Sequence, residues 1–355
     1  MAEHFFITGA TGLVGTDLVP RILTSFPEST VTLLVRAGSD AQARERLDGF
    51  IRTIGRRDEL SRAAERLEVM RGDVEQESCG LSAANRNTLV RRTTHIIHGA
   101  ATIRFDESLE KARSVNCGGT KRMLALAAVC ADRGALERFV YIGSSSVSGK
   151  REGMIREDEL EMGQQFFNTY EQSKCESERL VRDSFARLPA VAFRPSIIIG
   201  DSKTGRTTSF YVIYIPLRLL YNGLLDIVPG SPGTFLDLVP VDWVNAAMIA
   251  LFSRKDSVGR VFHITAGPSR AARLGEVVES AAAYFNRHAP LSKPRHVTFV
   301  SAAEYARVQA GSSPRMKAVF AQLDALFPYV TVNRLFDSRN ADEFLRHSGV
   351  ALPPF

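Results

Sequence analysis

Tyr170 and Lys174 stand four residues apart in the run Asn168-Thr-Tyr-Glu-Gln-Ser-Lys174. On a helix, positions i and i+4 share a face, so the ammonium could lie beside the phenol, favour its ionised form and let it pass protons near neutral pH. Such a pair is common as a plain helix-surface contact, and the opening run Thr8-Gly-Ala-Thr-Gly-Leu-Val-Gly15 changes the odds. Gly9, Gly12 and Gly15 remove side chains where a strand-to-helix turn approaches a pyrophosphate. A helix starting near Leu13 then offers its free amides and positive dipole end to the phosphates. Together the two motifs point to carbonyl chemistry with a nicotinamide cofactor.

Arg36 ends the second strand-like run, where an acid would hold the ribose hydroxyls of NAD. An arginine there pairs with a 2′-phosphate, so NADPH is the expected cofactor; the bland alternative is a solvated loop arginine. Arg44 or Arg46 could add a second contact. Asp73, in Gly72-Asp-Val74, is placed to meet the adenine amino group, or is a turn aspartate and no more.

These residues need a frame. Six β-rich runs, His4 to Thr8, Val31 to Arg36, Leu67 to Arg71, Thr94 to His98, Phe139 to Gly143 and Val191 to Arg194, alternate with amphipathic stretches such as Val14, Leu18, Ile22 and Leu23. That alternation predicts an α/β fold, a doubly wound parallel sheet of Rossmann type that binds ligands at the carboxyl ends of its strands. Residues 1–200 form the expected cofactor domain, with returning elements near 239–265. Residues 201–238 and 267–355 form the expected substrate-binding lobe. Asp242 reads as the N-cap of a helix and Trp243 as structural.

Composition narrows the class. With 355 residues, 45% hydrophobic and 24% charged, the chain can bury a large core as a soluble protein. Cys79, Cys117, Cys130 and Cys175 have neither disulfide-framework nor zinc spacing, and His95 and His98 lack companions that would complete a metal site. The expected setting is the cytoplasm, with no metal and no nucleic acid. Phe210 to Val228 is the most apolar stretch, yet Arg218, Asn222 and Asp226 interrupt it. A helix lining a greasy pocket is expected there, with peripheral membrane contact the lesser reading. The net charge of +6 suits an acidic ligand as well as an ordinary soluble surface.

The chain resembles the extended short-chain dehydrogenase/reductases through Thr8 to Gly15, Gly72-Asp-Val74, Asn116, Ser144 and the Tyr170/Lys174 pair. Within them it resembles fatty acyl-CoA reductases and thioester reductase domains, through His98-Gly-Ala-Ala-Thr-Ile-Arg-Phe-Asp106, Arg194 to Asp201 and Val239-Pro-Val-Asp-Trp243. The resemblance implies Tyr170 as proton donor and Ser144 as donor to the carbonyl oxygen. It implies Lys174 as the phenol's partner and Asn116 as orienting a relay water. Ser145 stays open as the hydroxyl, because the chain reads Gly-Ser-Ser-Ser where such reductases commonly read Ser-Thr. Cofactor contacts are implied for Thr11, Leu13, Val14, Val74, Ala100, Ala101, Pro195 and Ile197.

The implied activity is NADPH-dependent reduction of an acyl thioester, on coenzyme A or a carrier protein, to an aldehyde or, with a second NADPH, to an alcohol. The length leads to the expectation of a free-standing reductase. A ketone or aldehyde reductase, or a sterol-like secondary-alcohol dehydrogenase, would use the same residues. A nucleotide-sensing scaffold without turnover is a third reading, against which the intact Ser144, Tyr170 and Lys174 speak.

Overall fold

The computed structural model describes residues 2–54, 63–133 and 136–354. Its frame is a sheet of seven strands: β1 His4–Thr8, β2 Thr30–Val35, β3 Leu67–Arg71, β4 His95–His98, β5 Arg138–Ile142, β6 Ala190–Pro195 and β7 Val261–Ile264. All pairings are parallel, and the spatial order is β7-β6-β5-β4-β1-β2-β3. The order reverses between β1 and β4, so a crevice opens at their carboxyl ends.

Side chains alternate between the two faces and are apolar on both, as a sheet covered on each side requires. Phe5, Ile7, Val31, Leu33, Val140 and Phe193 face one core, and Phe6, Ile96, Phe139 and Tyr141 face the other. Helices α1 Leu13–Ser25 and α2 Asp40–Ile54 cover the first face. Helices α3 Ala83–Arg92, α5 Gly119–Arg133 and α6 Thr169–Asp183 cover the second. A short α4, Leu109–Arg113, runs into α5 through a π-helical segment, Ser114–Gly118.

The smaller lobe holds α7 Tyr214–Tyr221 and, after α8 Val241–Phe252 has returned to the first face, α9 Leu274–His288, α10 Ala302–Gly311, α11 Pro314–Asp324 and α12 Pro328–Thr331. Leu219, Leu220, Leu225, Val277 and Leu323 form its own core. The chain then returns to the larger part. Strand Arg334–Phe336 pairs with Gly153–Ile155, and α13 Arg339–Leu345 places Ala341 and Leu345 in the core of the first face. The last stretch of 267–355, expected in the lobe, therefore packs on the sheet.

Two local expectations need correction. Helix α8 begins at Val241 with Pro240 at its N-cap, while the Asp242 carboxylate instead accepts from the Ser202 amide at 2.8 Å and its hydroxyl at 2.6 Å. The apolar stretch contains only the eight residues of α7 as helix, and no described helix is long and apolar enough to cross a membrane.

Candidate active site

The three glycines after β1 serve different ends. Gly9 has φ +78°, and a Cβ there would lie 2.5 Å from the Gly99 carbonyl carbon beyond β4. A Cβ on Gly15 would come within 2.4 Å of the Ala10 carbonyl oxygen, so this glycine lets α1 rest on the turn. At Gly12 the only neighbour among the described residues would be the Gly9 carbonyl oxygen at 3.3 Å. That space is left to an outside group, and α1 opens there with no side-chain cap, its first amides available. Phosphates fit this cradle.

One cavity of about 860 Å³ starts at the cradle, within the size range of ligand clefts. Gly9, Thr11, Gly12, Leu13, Val14, Gly15, Arg36, Asp73 and Val74 line it, as do Ala100, Ala101, Ser144, Ser145, Tyr170, Lys174, Pro195 and Ile197. An adjoining recess of about 520 Å³ gathers Arg36, Arg46 and Arg71 with Gln42 and Asp73. Arg46 rather than Arg44 thus shares the space with Arg36. Asp73 forms a turn, its Oδ1 accepting from the Glu75 amide at 3.0 Å.

Helix α6 carries Tyr170 and Lys174. Its N-cap is Asn168, whose Oδ1 accepts from the Glu171 amide at 3.0 Å. Arg194 on β6 anchors it from below: its guanidinium is fully buried and donates to the Glu178 carboxylate at 2.9 Å and 2.8 Å. Breaking such a buried pair from one side strands a charge, at a cost of about 3–5 kcal/mol. Lys174 is buried and points inward, donating to the Ile142 carbonyl at 2.8 Å and lying 4.4 Å above the Tyr141 ring. Burial pulls its pKa down to about 8.

The Tyr170 phenol is pushed up by burial and held down by a hydrogen bond with the Ser144 side chain. Ser144 Oγ also lies 2.7 Å from Ser146 Oγ. The Ser145 carbonyl accepts from Ser148 Oγ at 3.0 Å.

Asn116 stands behind the cavity, in the π-helical segment. Its Oδ1 accepts from the Thr102 amide at 2.9 Å, and its Nδ2 donates to the Thr102 carbonyl at 3.2 Å and to Ser173 Oγ at 2.9 Å. The side chain ties the loop after β4 to α6. His98 is spent likewise, with Nδ1 2.8 Å from Thr8 Oγ1 and Nε2 3.1 Å from Thr120 Oγ1, while His95 stacks on Phe5.

Several lining residues escaped the sequence reading. The Phe105 ring lies 5.8 Å from Tyr170, 6.4 Å from Tyr211 and 5.7 Å from Tyr329, so three distant segments close around the phenol. Arg334 and Phe336 come from the returning strand. Phe105 carried a signal as part of the Arg-Phe-Asp block and Tyr211 as part of the apolar stretch, whereas Tyr329, Arg334 and Phe336 carried none.

A model of the male sterility protein family matches residues 7–248, more than half of the chain. The chain belongs to this family. The match runs from β1 through most of α8, so it takes in the cradle, Ser144, Tyr170 and Lys174. The cavity's cofactor is accordingly a nicotinamide dinucleotide.

Three curated relatives lie within reach. The nonribosomal peptide synthetase asaC of Aspergillus flavus is 28% identical over 73% of this chain and 26% of its own length. The fatty acyl-CoA reductase wat of Drosophila melanogaster is 28% identical over 69% and 53%. The L-2-aminoadipate reductase large subunit of Penicillium chrysogenum is 30% identical over 74% and 19%. The chain spans between a fifth and about half of these proteins. Among solved structures, the terminal R domain of the myxalamid PKS-NRPS pathway covers all of this chain and 87% of its own, with TM-score 0.84 and 24% identity. This agreement is one of fold.

Proposed function

We propose that this chain reduces an acyl thioester, borne by coenzyme A or a carrier protein, with NADPH as the reductant. The observation that carries the proposal is a single cavity, lined by the glycine cradle and Arg36 as well as by Ser144, Tyr170 and Lys174. The similarity to a fatty acyl-CoA reductase and to an aminoadipate reductase supports the thioester as substrate. Three guanidinium groups around one recess support the 2′-phosphate of NADPH over NADH.

When bound, NADPH supplies a hydride to the thioester carbonyl carbon. Tyr170 gives its phenolic proton to the carbonyl oxygen, and Ser144 donates a hydrogen bond to that oxygen as charge develops. Burial keeps the phenol protonated beforehand, the form a proton donor needs. Lys174, in its charged state, steadies the phenolate left behind. The hemithioacetal so formed breaks its C–S bond, its hydroxyl proton passes to sulfur, and an aldehyde and a thiol separate. A second reduction at the same residues converts the aldehyde to an alcohol.

Purified protein given NADPH and hexanoyl-CoA should consume cofactor and release thiol together, one thiol per NADPH for an aldehyde and one per two for an alcohol. Cofactor consumption with simple ketones but no thiol release from any thioester would favour the ketone or secondary-alcohol reading.

A further inference from the structure

Arg334 is unlike the other cations of the cavity. Arg104 pairs with Asp106 at 3.1 Å, Lys111 pairs with Glu75 at 2.6 Å, and Lys174 is turned to the Ile142 carbonyl. Arg36 and Arg46 also line the adjoining recess. Arg334 sits among aromatic residues instead, its guanidinium 5.7 Å from the Tyr329 ring centre and 5.8 Å from that of Phe336. No carboxylate of the described residues comes within 4.0 Å of it, although Glu171 acts on it from farther away.

Its donors are divided. Nη1 donates to the Gly149 carbonyl at 2.6 Å and to Ser148 Oγ at 3.3 Å, which fixes the group against the loop that follows Ser144. Nε and Nη2 meet no acceptor among the described residues, and neither is sealed from solvent. This edge of a guanidinium presents two parallel N–H groups, the fork that a carboxylate accepts in bidentate fashion.

The surroundings speak about the acyl group as well. A long alkyl chain calls for aliphatic walls. Of the apolar stretch, Leu219, Leu220 and Leu225 are buried in the core of the smaller lobe, and Tyr211, Val212 and Tyr214 reach the cavity. The cavity is lined by Ile103, Ile197, Ile198, Val212 and Leu236. It is also lined by Phe105 against Tyr170, by Tyr211 and Tyr329 against Phe105, and by Arg334.

Resting on the thioester reading above, we infer that Arg334 selects the substrate by gripping a carboxylate carried on its acyl group. The preferred thioesters are short ω-carboxyacyl ones and not saturated fatty ones. Fixed in place by Gly149 and Ser148, the fork loses little freedom on binding.

The test compares succinyl-, adipoyl- and suberoyl-CoA with butyryl-, hexanoyl- and octanoyl-CoA, with NADPH as reductant and thiol release as readout. The best dicarboxylic thioester should exceed its chain-matched partner in kcat/KM by about tenfold or more, the scale set by a charged hydrogen bond. In Arg334→Gln that ratio should fall to near one, chiefly through KM for the carboxylated substrate, and Arg334→Lys should restore part of it. Calorimetry with the unreactive thioether analogues should show the same preference in binding.

Equal or better turnover of the monocarboxylic series by the unaltered protein would overturn the inference and leave the thioester reading standing. So would an equal loss on both series in Arg334→Gln, which marks a residue that only braces the loop. Absence of turnover with every thioester, while a ketone is reduced, would overturn the underlying reading instead.

Discussion

The two ends of the cavity are built by different means. The cofactor end is made mostly of backbone: a strand-to-helix turn, the uncapped start of α1 and three glycines. The substrate end is made of side chains, Phe105, Tyr211, Tyr329 and Arg334, drawn from loops and short elements far apart in the chain. Backbone geometry serves a ligand that stays the same across many reactions, whereas side chains can be exchanged without disturbing the sheet. Ser144, Tyr170 and Lys174, the residues proposed to carry the chemistry, line the same cavity.

The largest expected effect lies with these residues. Tyr170→Phe should lower kcat by about a thousandfold, in the range of general acid catalysis, while NADPH affinity followed by fluorescence stays within about twofold. A rate within tenfold of the unaltered protein would remove the phenol from the chemistry.

Next comes the backbone end itself. Gly9→Ala meets both a positive φ and backbone 2.5 Å away, so urea unfolding should show a loss of about 2–3 kcal/mol or more. Gly12→Ala has only one neighbour at 3.3 Å and should cost less than about 1 kcal/mol while weakening NADPH strongly. Equal destabilisation by the two would erase the distinction between a glycine needed by the fold and one needed by the ligand.

Arg36→Ala should weaken NADPH by about ten- to a hundredfold and NADH by far less, as expected from the loss of a charge-assisted contact. Equal weakening would mean that the recess does not read the 2′-phosphate.

The smallest effect is one of pH. Because burial brings Lys174 to about 8, kcat/KM should fall as pH rises through that value and the ammonium is lost. The same shift acts on stability with opposite sign. Between about 8 and the ordinary 10.5 the unfolded chain binds more protons at this residue, so its contribution to stability rises with pH. A Lys174→Met variant should lack both slopes, and a persisting limb near pH 8 in its rate profile would assign the titration elsewhere.

How legible each end was in the sequence follows from how it is made. A strand buried on both faces reads as a nearly continuous apolar run, as at His4–Thr8, and the edge strand Leu67–Arg71 was also legible to the residue. The cradle was legible because glycine spacing is a local property of the chain. Counting back from Gly149 favoured Ser144 over Ser145 in the sequence, and both serines line the cavity. Tyr329 and Arg334 were not legible, since nothing local marks a residue whose neighbours lie more than a hundred and fifty positions away. Asp242 misled for a related reason: its carboxylate found distant donors on Ser202, and the helix started without it.

The return of the chain after α12 has a practical meaning for anyone wishing to change what this fold accepts. Arg334 and Phe336 line the cavity only a few positions before Ala341 and Leu345 join the sheet core. A chimera that transplants the lobe as one cassette would uproot a stabilising helix or leave the old arginine behind. Grafts of 201–238 and of 267 to near 330, with 239–266 and 334–345 kept native and residue 334 varied singly, respect the way this molecule is stitched.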